Sequence, residues 1–392
     1  MIKVSDLLDF YSTNSLSWEQ LDYNNGKIKN LHYGLIHKGL PTMVDVAYDS
    51  LPYIKEESML KSFTLLKEGD VAFADASEDT NDVAKAIEVV NCNNQQVVSG
   101  LHTIHGRDNS NRTVIGYKGY AFASDSFHKQ IRRIAQGTKV FSISVRNFDE
   151  VYIGIPSKEE QTKIAKLLTA IDKRIATQNK IIEDLKMLKS AIIENVFDDK
   201  HSERLQLDNV GSYIRGLTYS SNDVVEHGGT LVMRSNNIVN GSLLDYNNNV
   251  VFVNKQMSAE QQLQNGDIVI CMANGSSSLV GKSSFYDGNC HSPITVGAFC
   301  GIYRSKEPIV KWLFQTNKYR RYIWNSLQGG NGAIANLNGE DILNMSFSIP
   351  NAPIKDTCVK MLTSVDSALG NNMSLCALYT LQKQHLLRQM FI

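Results

Sequence analysis

The sequence predicts an α+β protein with two mixed α/β globular domains. Each domain is followed by a long α-helix, and the two helices are predicted to pack as an antiparallel coiled coil with pseudo-two-fold symmetry. Two observations support this fold class. A chain of 392 residues exceeds what one hydrophobic core usually serves. A long helical pattern opens at residue 155 as IPSKEEQTKIAKLLTAID, and another opens 194 residues later, at residue 349, as IPNAPIKDTCVKMLTSVD.

The first globular domain is predicted to span residues 1–156. A Gly-Asp turn leads into a strand in KEGDVAFADAS (67–77), and VVSGLHTIHGR (97–107) has further β character. FHKQIRRIAQG (127–137) predicts a short helix that ends at a glycine. EVYIGIP (150–156) predicts the final strand, so this part is mixed α and β.

The central helix is predicted over residues 157–198. Ser157 and Glu160 match a capping box directly after Pro156. Apolar positions then follow steps of four and three, as in a coiled-coil seam, until a three-residue step to Leu188 shifts the phase. The predicted stripe is Ile164, Leu168, Ile171, Ile175, Gln178, Ile182, Leu185, Leu188, Ile192 and Val196.

The second globular domain is predicted over residues 199–350, because the segments of the first domain recur in the same order. The Gly-Asp turn appears in QNGDIVICMANGS (264–276), and β segments follow in PITVGAFCGIYRS (293–305). The short helix is YRRYIWNSLQG (319–329), and NMSFSIP (344–350) is the final strand.

The C-terminal helix is predicted over residues 351–392. Its stripe repeats the first at the same positions: Cys358, Leu362, Val365, Leu369, Asn372, Cys376, Tyr379, Gln382, Leu386 and Met390. One such stripe alone is explained by an amphipathic helix on its own domain, but two favour packing of the helices on each other. Gln178 and Asn372 interrupt both stripes near the helix middles, so they are predicted to face each other and fix the register.

The order of domain, helix, domain and helix, with IPSKEEQTKIAKLLTAIDKRI between the domains, resembles the specificity subunit of type I restriction-modification systems. GKIKNLHYGLIHKG (26–39), EGDVAFADASED (68–79), GLHTIHGR (100–107) and GTKVFSIS (137–144) resemble stretches of that family's target recognition domains. The C-terminal helix departs from the pattern, because NAPIKDT replaces the usual Glu-Glu-Gln-like opening.

The resemblance implies a non-catalytic subunit that binds double-stranded DNA at a two-part site, with one half-site per domain. It also implies that the helical spacer docks two methyltransferase subunits, and that restriction subunits can join the complex. The residues leave one alternative of another class, a non-enzymatic coiled-coil scaffold whose two heads bind proteins or other ligands. A steep fall of duplex DNA binding with salt would separate the two.

DNA contacts are predicted in the loops, because phosphates suit cations and hydroxyl or amide donors, and base edges suit Arg, Lys, Asn and Gln. Each position taken singly is also explained as a solvated loop residue. The candidates in the first domain are His37, Lys38, Ser77, Asn81, Arg107, Arg112 and Lys139. Those in the second domain are Arg215, Tyr219, Arg234, Asn236, Asn237, Asn274, Ser276, Lys282, Ser283, Asn331 and Asn336.

Catalytic chemistry and bound cofactors are not predicted. GSSSLVGKS (275–283) falls short of a phosphate-binding loop, because five residues rather than four separate its glycines and no helix follows. His102 and His105 lie on opposite faces of a strand-like segment, so a shared metal is not expected. The six cysteines form no CxxC pair, which argues against zinc.

Net charge and hydropathy limit the classes of partner that the sequence predicts. The net charge of zero means that DNA binding must depend on locally clustered cations rather than on a basic chain. The sequence has no apolar run long enough to span a membrane, and MIKVSDLLDF does not resemble a signal peptide. We therefore expect a cytoplasmic protein with no membrane partner.

Overall fold

The computed structural model describes residues 1–60, 63–197, 203–327 and 335–391. The chain divides into two compact units, and each contains one globular head with part of both long helices. The first unit comprises Met1–Asn179 with Met373–Ile392, and the second comprises Lys180–Asn372. The predicted division into four domains at residues 156, 198 and 350 follows the helix ends instead, and it remains a prediction.

The first head has two main sheets. Its strands are β1 (Ile2–Lys3), β2 (Asp9–Tyr11), β3 (Leu21–Asp22), β4 (Ile28–Leu31), β5 (Met43–Asp45), β6 (Tyr53–Ile54), β7 (Val71–Ala74), β8 (Ala76–Ser77), β9 (Ala86–Asn91), β10 (Gln96–Ser99), β11 (Thr103–Arg107), β12 (Phe141–Ser142) and β13 (Tyr152–Ile153). One sheet has the order β2-β11-β7-β9-β5, and the other has the order β10-β4-β6-β3. The short pair β8 and β12 is antiparallel.

In its described ranges, the first head has four short α-helices. They are α1 (Val4–Leu7), α2 (Tyr33–His37), α3 (Lys118–Phe122) and α4 (Asp125–Ile134), followed by the central helix α5 (Lys158–Val196). Phe73 of β7 packs against Phe122 and Phe148, with ring centroids 4.8 and 4.9 Å apart. All three rings are fully buried, and burial of large aromatic rings is a major source of stability.

The second head repeats this plan in the same order. Its strands are β14 (Glu203–Gln206), β15 (Gly211–Arg215), β16 (Val224–Val225), β17 (Thr230–Met233), β18 (Val251–Val253), β19 (Ile268–Cys271), β20 (Ala273–Asn274), β21 (Ser283–Phe285), β22 (Ile294–Val296), β23 (Cys300–Ser305), β24 (Ala335–Asn336) and β25 (Ser346–Ile349). Its helices are α6 (Leu207–Val210), α7 (Val310–Leu313), α8 (Asn317–Leu327), α9 (Gly339–Leu343) and the C-terminal helix α10 (Ala352–Met390). The sheets have the orders β15-β23-β19-β21 and β16-β18-β17-β22.

The long helices complete the core of each head. In the first unit, Ile164 and Leu168 of α5 and Phe391, just beyond α10, join the core. The core of the second unit includes Ile193 from α5 and Leu362 from α10. Each apolar stripe is therefore shared between head packing and helix packing, and the predicted α+β class with two long helices is confirmed.

The helices run antiparallel where they meet in the first unit. Asp172 of α5 contacts Lys383 of α10 at 2.6 Å. Further along α5, Asn179 Oδ1 accepts a hydrogen bond from Cys376 Sγ at 3.2 Å. The residue number rises along one helix as it falls along the other, as the sequence predicts.

The predicted stripe is wrong at one step in both helices. Leu188 is 50% exposed, and Gln382 is exposed as well. The next residue lies inward in each case, Lys189 in α5 and Lys383 in α10. These lysines reach carboxylates of the facing helix, so a four-residue step with an ion pair replaces the predicted three-residue apolar step.

An aspartate ties the helix pair to the head in each unit. Asp172 accepts a hydrogen bond from the Tyr120 hydroxyl at 2.8 Å and also pairs with Lys383. The equivalent residue 194 positions later is Asp366, which is the acceptor for Trp312 Nε1 at 3.1 Å. The Asp172 and Asp366 side chains are 29% and 12% exposed, and each aspartate has one partner on the head and one on the other helix.

In the second unit, a second lysine joins this contact. Lys189 and Lys311 both lie 2.7 Å from carboxylate oxygens of Asp366. Burial raises the pKa of Asp366, but the two lysines outweigh it and hold that pKa below its usual range. Burial lowers the pKa of Lys189 although Asp366 opposes it.

The predicted register pair lies on the stripe. Gln178 is 9% exposed in the first unit. Asn372 is half-buried in the second unit, where its Nδ2 donates to Ala368 O at 2.6 Å. That the two face each other remains a prediction.

Candidate nucleic-acid interface

The same ion pair fixes the central strands of both heads. In the first head, Arg107 donates from Nε and Nη2 to the two carboxylate oxygens of Asp70, at 2.8 and 2.7 Å, and Nη2 also donates to Leu65 O. Arg304 binds Asp267 at the same two distances in the second head. Bidentate pairs of this kind are strong and directional.

This arrangement corrects the prediction that Arg107 contacts DNA. Its side chain is 13% exposed, and its guanidinium is held by Asp70 and stacks over the Tyr11 ring at 4.8 Å. Burial raises the pKa of Asp70, but the hydrogen bonds from Arg107 and His105 outweigh it and keep that pKa below its usual range. Arg107 therefore serves the fold of the head.

The two ion pairs also show which residues of the two heads correspond. Asp70 and Asp267 are 197 residues apart, and so are Arg107 and Arg304. The same offset relates the strand pairs β7 with β11 and β19 with β23. Positions 197 apart in this region are therefore structurally equivalent, and Ser77 corresponds to Asn274.

A cleft of about 450 Å³ opens in the second head. It contains three of the predicted contact residues, Tyr219, Arg234 and Asn274, and it also contains Phe299, which the sequence did not single out. The full lining is Tyr219, Ser220, Ser221, Arg234, Ser235, Ala273, Asn274, Gly275, Gly297, Ala298, Phe299 and Cys300. Hydroxyl, amide and guanidinium donors thus surround an aromatic surface.

Asn274 is held in position by its neighbours in the cleft. Its Nδ2 donates to Ser235 Oγ at 3.3 Å, and its Oδ1 accepts from the Ser276 amide at 3.0 Å. It lies on β20, which pairs with β24 so that Asn274 is opposite Ala335 and next to the exposed Asn336. Asn336 pairs with Ala273, and successive residues of a strand point to opposite faces, so the Asn336 side chain does not lie beside that of Asn274. Asn336 is not part of the cleft lining.

Arg234 and Asn236 are exposed at the end of β17. The backbone amide of Arg234 donates to Asn237 Oδ1 at 2.9 Å, and its Nη2 donates to Asn249 O at 3.3 Å. This leaves most of the guanidinium surface open to the cleft. Ser276 is exposed at the rim, and its hydroxyl bonds to that of Ser278.

Two predicted contact residues are buried instead. Asn237 is 1% exposed, and its Nδ2 donates to Asp245 O and Asn248 O at 3.0 and 2.8 Å. Ser283 is 3% exposed and donates to Phe314 O. Their side chains donate hydrogen bonds to backbone carbonyls inside the head, so they are not available to a nucleic acid.

The equivalent region of the first head carries the acidic loop after β8. Ser77 Oγ and Asp79 Oδ1 accept from the amides of Asp79 and Asn81, at 3.1 and 2.9 Å. Arg132 of α4 donates to Asn81 Oδ1 at 3.2 Å. Because Glu78 and Asp79 are exposed here, this loop repels phosphates and suits base or sugar contacts better.

A cluster of aromatic and histidine rings lies beside this loop, and sequence reasoning missed it apart from His37. Tyr33 is its centre, with His32, His37 and His102 centroids at 4.7, 5.9 and 5.2 Å. Trp18 packs on His32 at 4.4 Å. Burial, with His102 adding to it, holds the pKa of His32 below its usual range. The signal was present in NLHYGLIH and GLHTIH, but no sequence spacing shows that these segments meet.

The ring and the backbone carbonyl of His37 both have hydrogen-bond partners within the head. Its Nε2 lies 2.9 Å from Ala76 O, and Lys85 Nζ donates to the His37 carbonyl at 2.9 Å. Lys38 follows it in sequence and is exposed. The contact places α2 against β8, so two predicted segments of the first head do meet.

The remaining candidates are distributed around the heads. Lys139 is exposed shortly before β12, and Lys282 is half-buried before β21. Arg112 and Arg215 are exposed, while their carbonyls accept from Gln161 and Gln261. The structure does not bring these residues to the cleft or the ring cluster, and Asn331 lies outside the described residues.

Among the residues that the structure describes, no three His, Cys, Asp or Glu side chains gather as a metal site. No helix in the described ranges is both long and apolar enough to cross a bilayer.

Comparison with known proteins identifies relatives of one kind. Residues 1–187 match the family described as type I restriction modification DNA specificity domain. The EcoKI specificity subunit of Escherichia coli (strain K12), a type I restriction enzyme subunit, is 35% identical over 155 residues, which cover 37% of this chain and 31% of that protein. The match thus spans about a third of the length of that relative.

Solved structures extend the likeness in fold to the whole chain. The S subunit of a type I restriction-modification system from M. genitalium has a TM-score of 0.61 at 14% identity, covering 100% of this chain and 95% of that one. A chain from a structure on complex assembly and conformational transition of the type I R-M system has a TM-score of 0.53 at 12% identity, covering 98% and 95%. At these identities the similarity concerns the fold.

Proposed function

We propose, from the match of residues 1–187 to the type I restriction modification DNA specificity domain, that this chain is the subunit that selects the DNA sequence. Each head reads one half of a two-part target. The long helices hold the heads apart and dock methyltransferase subunits. The chain itself performs no catalytic step.

The observation that best supports this proposal is the duplicated head with a different loop surface in each copy. The Asp-Arg pair is the same in both heads, and the order β15-β23-β19-β21 matches β2-β11-β7-β9 of the first head, whose sheet has β5 as a fifth strand. The surface beside them differs, with a ring cluster in one head and a cleft lined by Arg234, Asn274 and Phe299 in the other. One scaffold with two unlike reading surfaces suits an asymmetric two-part sequence.

Partners follow from the same family. We propose double-stranded DNA and two methyltransferase subunits as partners, with restriction subunits joining when the complex cleaves. The long helices offer exposed apolar side chains to a partner in addition to their buried stripe. Those of α10 include Leu378 and Leu381, which are 60% and 59% exposed.

The first experiment is to co-express the chain with the methyltransferase encoded beside it and to sequence the host DNA for adenine methylation. The proposal predicts one two-part motif with a fixed unspecified gap. An assembled complex that methylates no two-part motif, and does not bind duplex DNA at low salt, would contradict it and favour the scaffold alternative.

A further inference from the structure

An equivalent three-residue connection lies beside the candidate interface of each head. In the first head, residues 100–102 join β10 to β11, and in the second, residues 297–299 join β22 to β23. His102 and Phe299 are 197 residues apart, so they occupy equivalent positions at the ends of these connections. A role of these two residues in DNA recognition rests on the proposed function.

Both connections are fixed by hydrogen bonds to the neighbouring strand. Phe299 O accepts from the amides of Met272 and Ala273, at 2.8 and 3.1 Å. His102 O accepts from the amide of Asp75 at 3.1 Å, and its Nδ1 lies 3.1 Å from Asp75 Oδ1. Each side chain is therefore presented from a backbone whose position is set by the central sheet.

The two side chains nevertheless point to solvent. Phe299 is 65% exposed, and the His102 side chain is 51% exposed. His102 also has a φ of 54°, a left-handed conformation that costs a residue with a Cβ about 1 kcal/mol. An exposed apolar ring and a strained histidine at one equivalent position contribute little to folding stability.

Their surroundings suit bases. Phe299 shares its cleft with Arg234 and Asn274, whose side chains can hydrogen-bond base edges. His102 packs edge-on against Tyr33 in the ring cluster. An aromatic ring can contact a thymine methyl, and an imidazole can donate to or accept from a base edge.

We propose that His102 and Phe299 are specificity-determining residues that contact bases, one in each half-site of the DNA target. Phe299 makes an apolar contact with a thymine methyl group in the second half-site. His102 makes a hydrogen bond in the first half-site, with Asp75 orienting its ring. The equivalent connection thus reads different bases through different chemistry.

The test for Phe299 uses the complex with its methyltransferase and sequences host methylation. Phe299→Ala is expected to leave the motif of the first half-site unchanged and to relax one base position of the second by roughly 5- to 150-fold. Phe299→Leu keeps part of the apolar contact and should relax the same position less. Trp324→Ala is the matched control, because Trp324 is also 65% exposed in this head but does not line the cleft.

For His102, the informative variant is His102→Gly. Glycine adopts the left-handed turn without strain, so the head is expected to stay folded while the ring is removed. One position of the first half-site should then relax, with the second half-site unchanged. Tyr48→Ala, an 88% exposed position in the same head, is the control.

The outcomes separate this inference from the function on which it rests. If the unmodified complex gives a two-part motif and the His102 and Phe299 variants keep the same motif at the same level, the inference is overturned and the proposed function stands. If relaxation appears in the wrong half-site, the inference is also overturned. If the unmodified complex gives no two-part motif and does not bind duplex DNA, the proposed function falls first.

Discussion

At the scale of single residues, the hydrogen-bond partners of a polar side chain determine whether it stabilises the fold or is available to a ligand. Arg107, Asn237 and Ser283 have the residue types and loop positions expected of DNA contacts, yet their polar atoms bind Asp70 and backbone carbonyls. Sequence shows residue type but not the partner, because those partners lie between 8 and 37 residues away. Phe299 was not singled out from the sequence, because an aromatic residue next to a strand is usually part of the core, yet it is 65% exposed.

The Asp-Arg pairs give a prediction at this scale. Arg304→Lys keeps the charge but loses the two-pronged contact with Asp267, which is 2% exposed. We expect the free energy of unfolding to fall by about 1–3 kcal/mol. Thermal unfolding measures this. Arg215→Lys, at an exposed position of the same head, is the control and should change stability little.

Among the elements, the long helices were the most predictable part of the fold. Their ends lie within two residues of the predicted ones, because capping and periodicity are local properties. The predicted three-residue step to Leu188 and to Gln382 was wrong, and the reason is not local. Lysines occupy these seam positions because each has a carboxylate on the facing helix: Lys189 pairs with Asp366, and Lys383 pairs with Asp172.

Loss of the Asp366 carboxylate should be more damaging than the same change at Asp172. Asp366→Asn leaves Lys189, whose side chain is 8% exposed, without a counter-charge and should cost about 3 kcal/mol or more. Asp172→Asn leaves Lys383 at 19% exposure, where water compensates, and should cost about 1 kcal/mol. Chemical denaturation compares the two variants. Equal losses would contradict the burial argument.

His128 of helix α4 makes the free energy of unfolding depend on pH. Burial, with Arg132 adding to it, lowers the pKa of His128 to about 4 in the fold, against an ordinary value of 6.5. The folded state therefore holds the ring neutral, and as pH falls from 6.5 towards 4 the unfolded state takes up the proton first. Stability contributed by this site is complete above pH 6.5 and declines below it, by roughly 3 kcal/mol at most.

His128→Gln removes this titration. Its unfolding free energy should therefore vary less between pH 6.5 and 4 than that of the unmodified protein. His227→Gln, at an exposed histidine of the second head, is the matched control. Parallel profiles for the unmodified protein and His128→Gln would show that the site does not contribute.

At the scale of the whole molecule, balanced charge limits non-specific attraction to DNA. The chain has 40 basic and 40 acidic residues, so phosphate binding must come from exposed local cations. The exposed cations among the predicted contacts are Lys38, Arg112, Lys139, Arg215 and Arg234. If all of them bind phosphates, the logarithm of the affinity should fall with the logarithm of salt concentration with a slope of about −4 to −5.

A salt titration of binding to a cognate duplex measures this slope. Lys139→Ala should make it shallower by about 1 and weaken binding to all sequences alike, whereas Phe299→Ala should leave the slope unchanged. A flat salt dependence for the unmodified protein would count against a DNA-binding role.

The composition of the first unit sets the order in which the protein can fold during its synthesis. That unit needs residues from Met373 onwards, including Phe391, which is 7% exposed and packs on Tyr117 with centroids 5.6 Å apart. A ribosome adds about 5–20 residues per second, so the first head waits roughly 10 to 40 seconds for this segment while the second unit is made. Until then the apolar surface around Tyr117 lacks the cover that Phe391 gives it, so we expect a chaperone that binds the nascent chain to bind its N-terminal head.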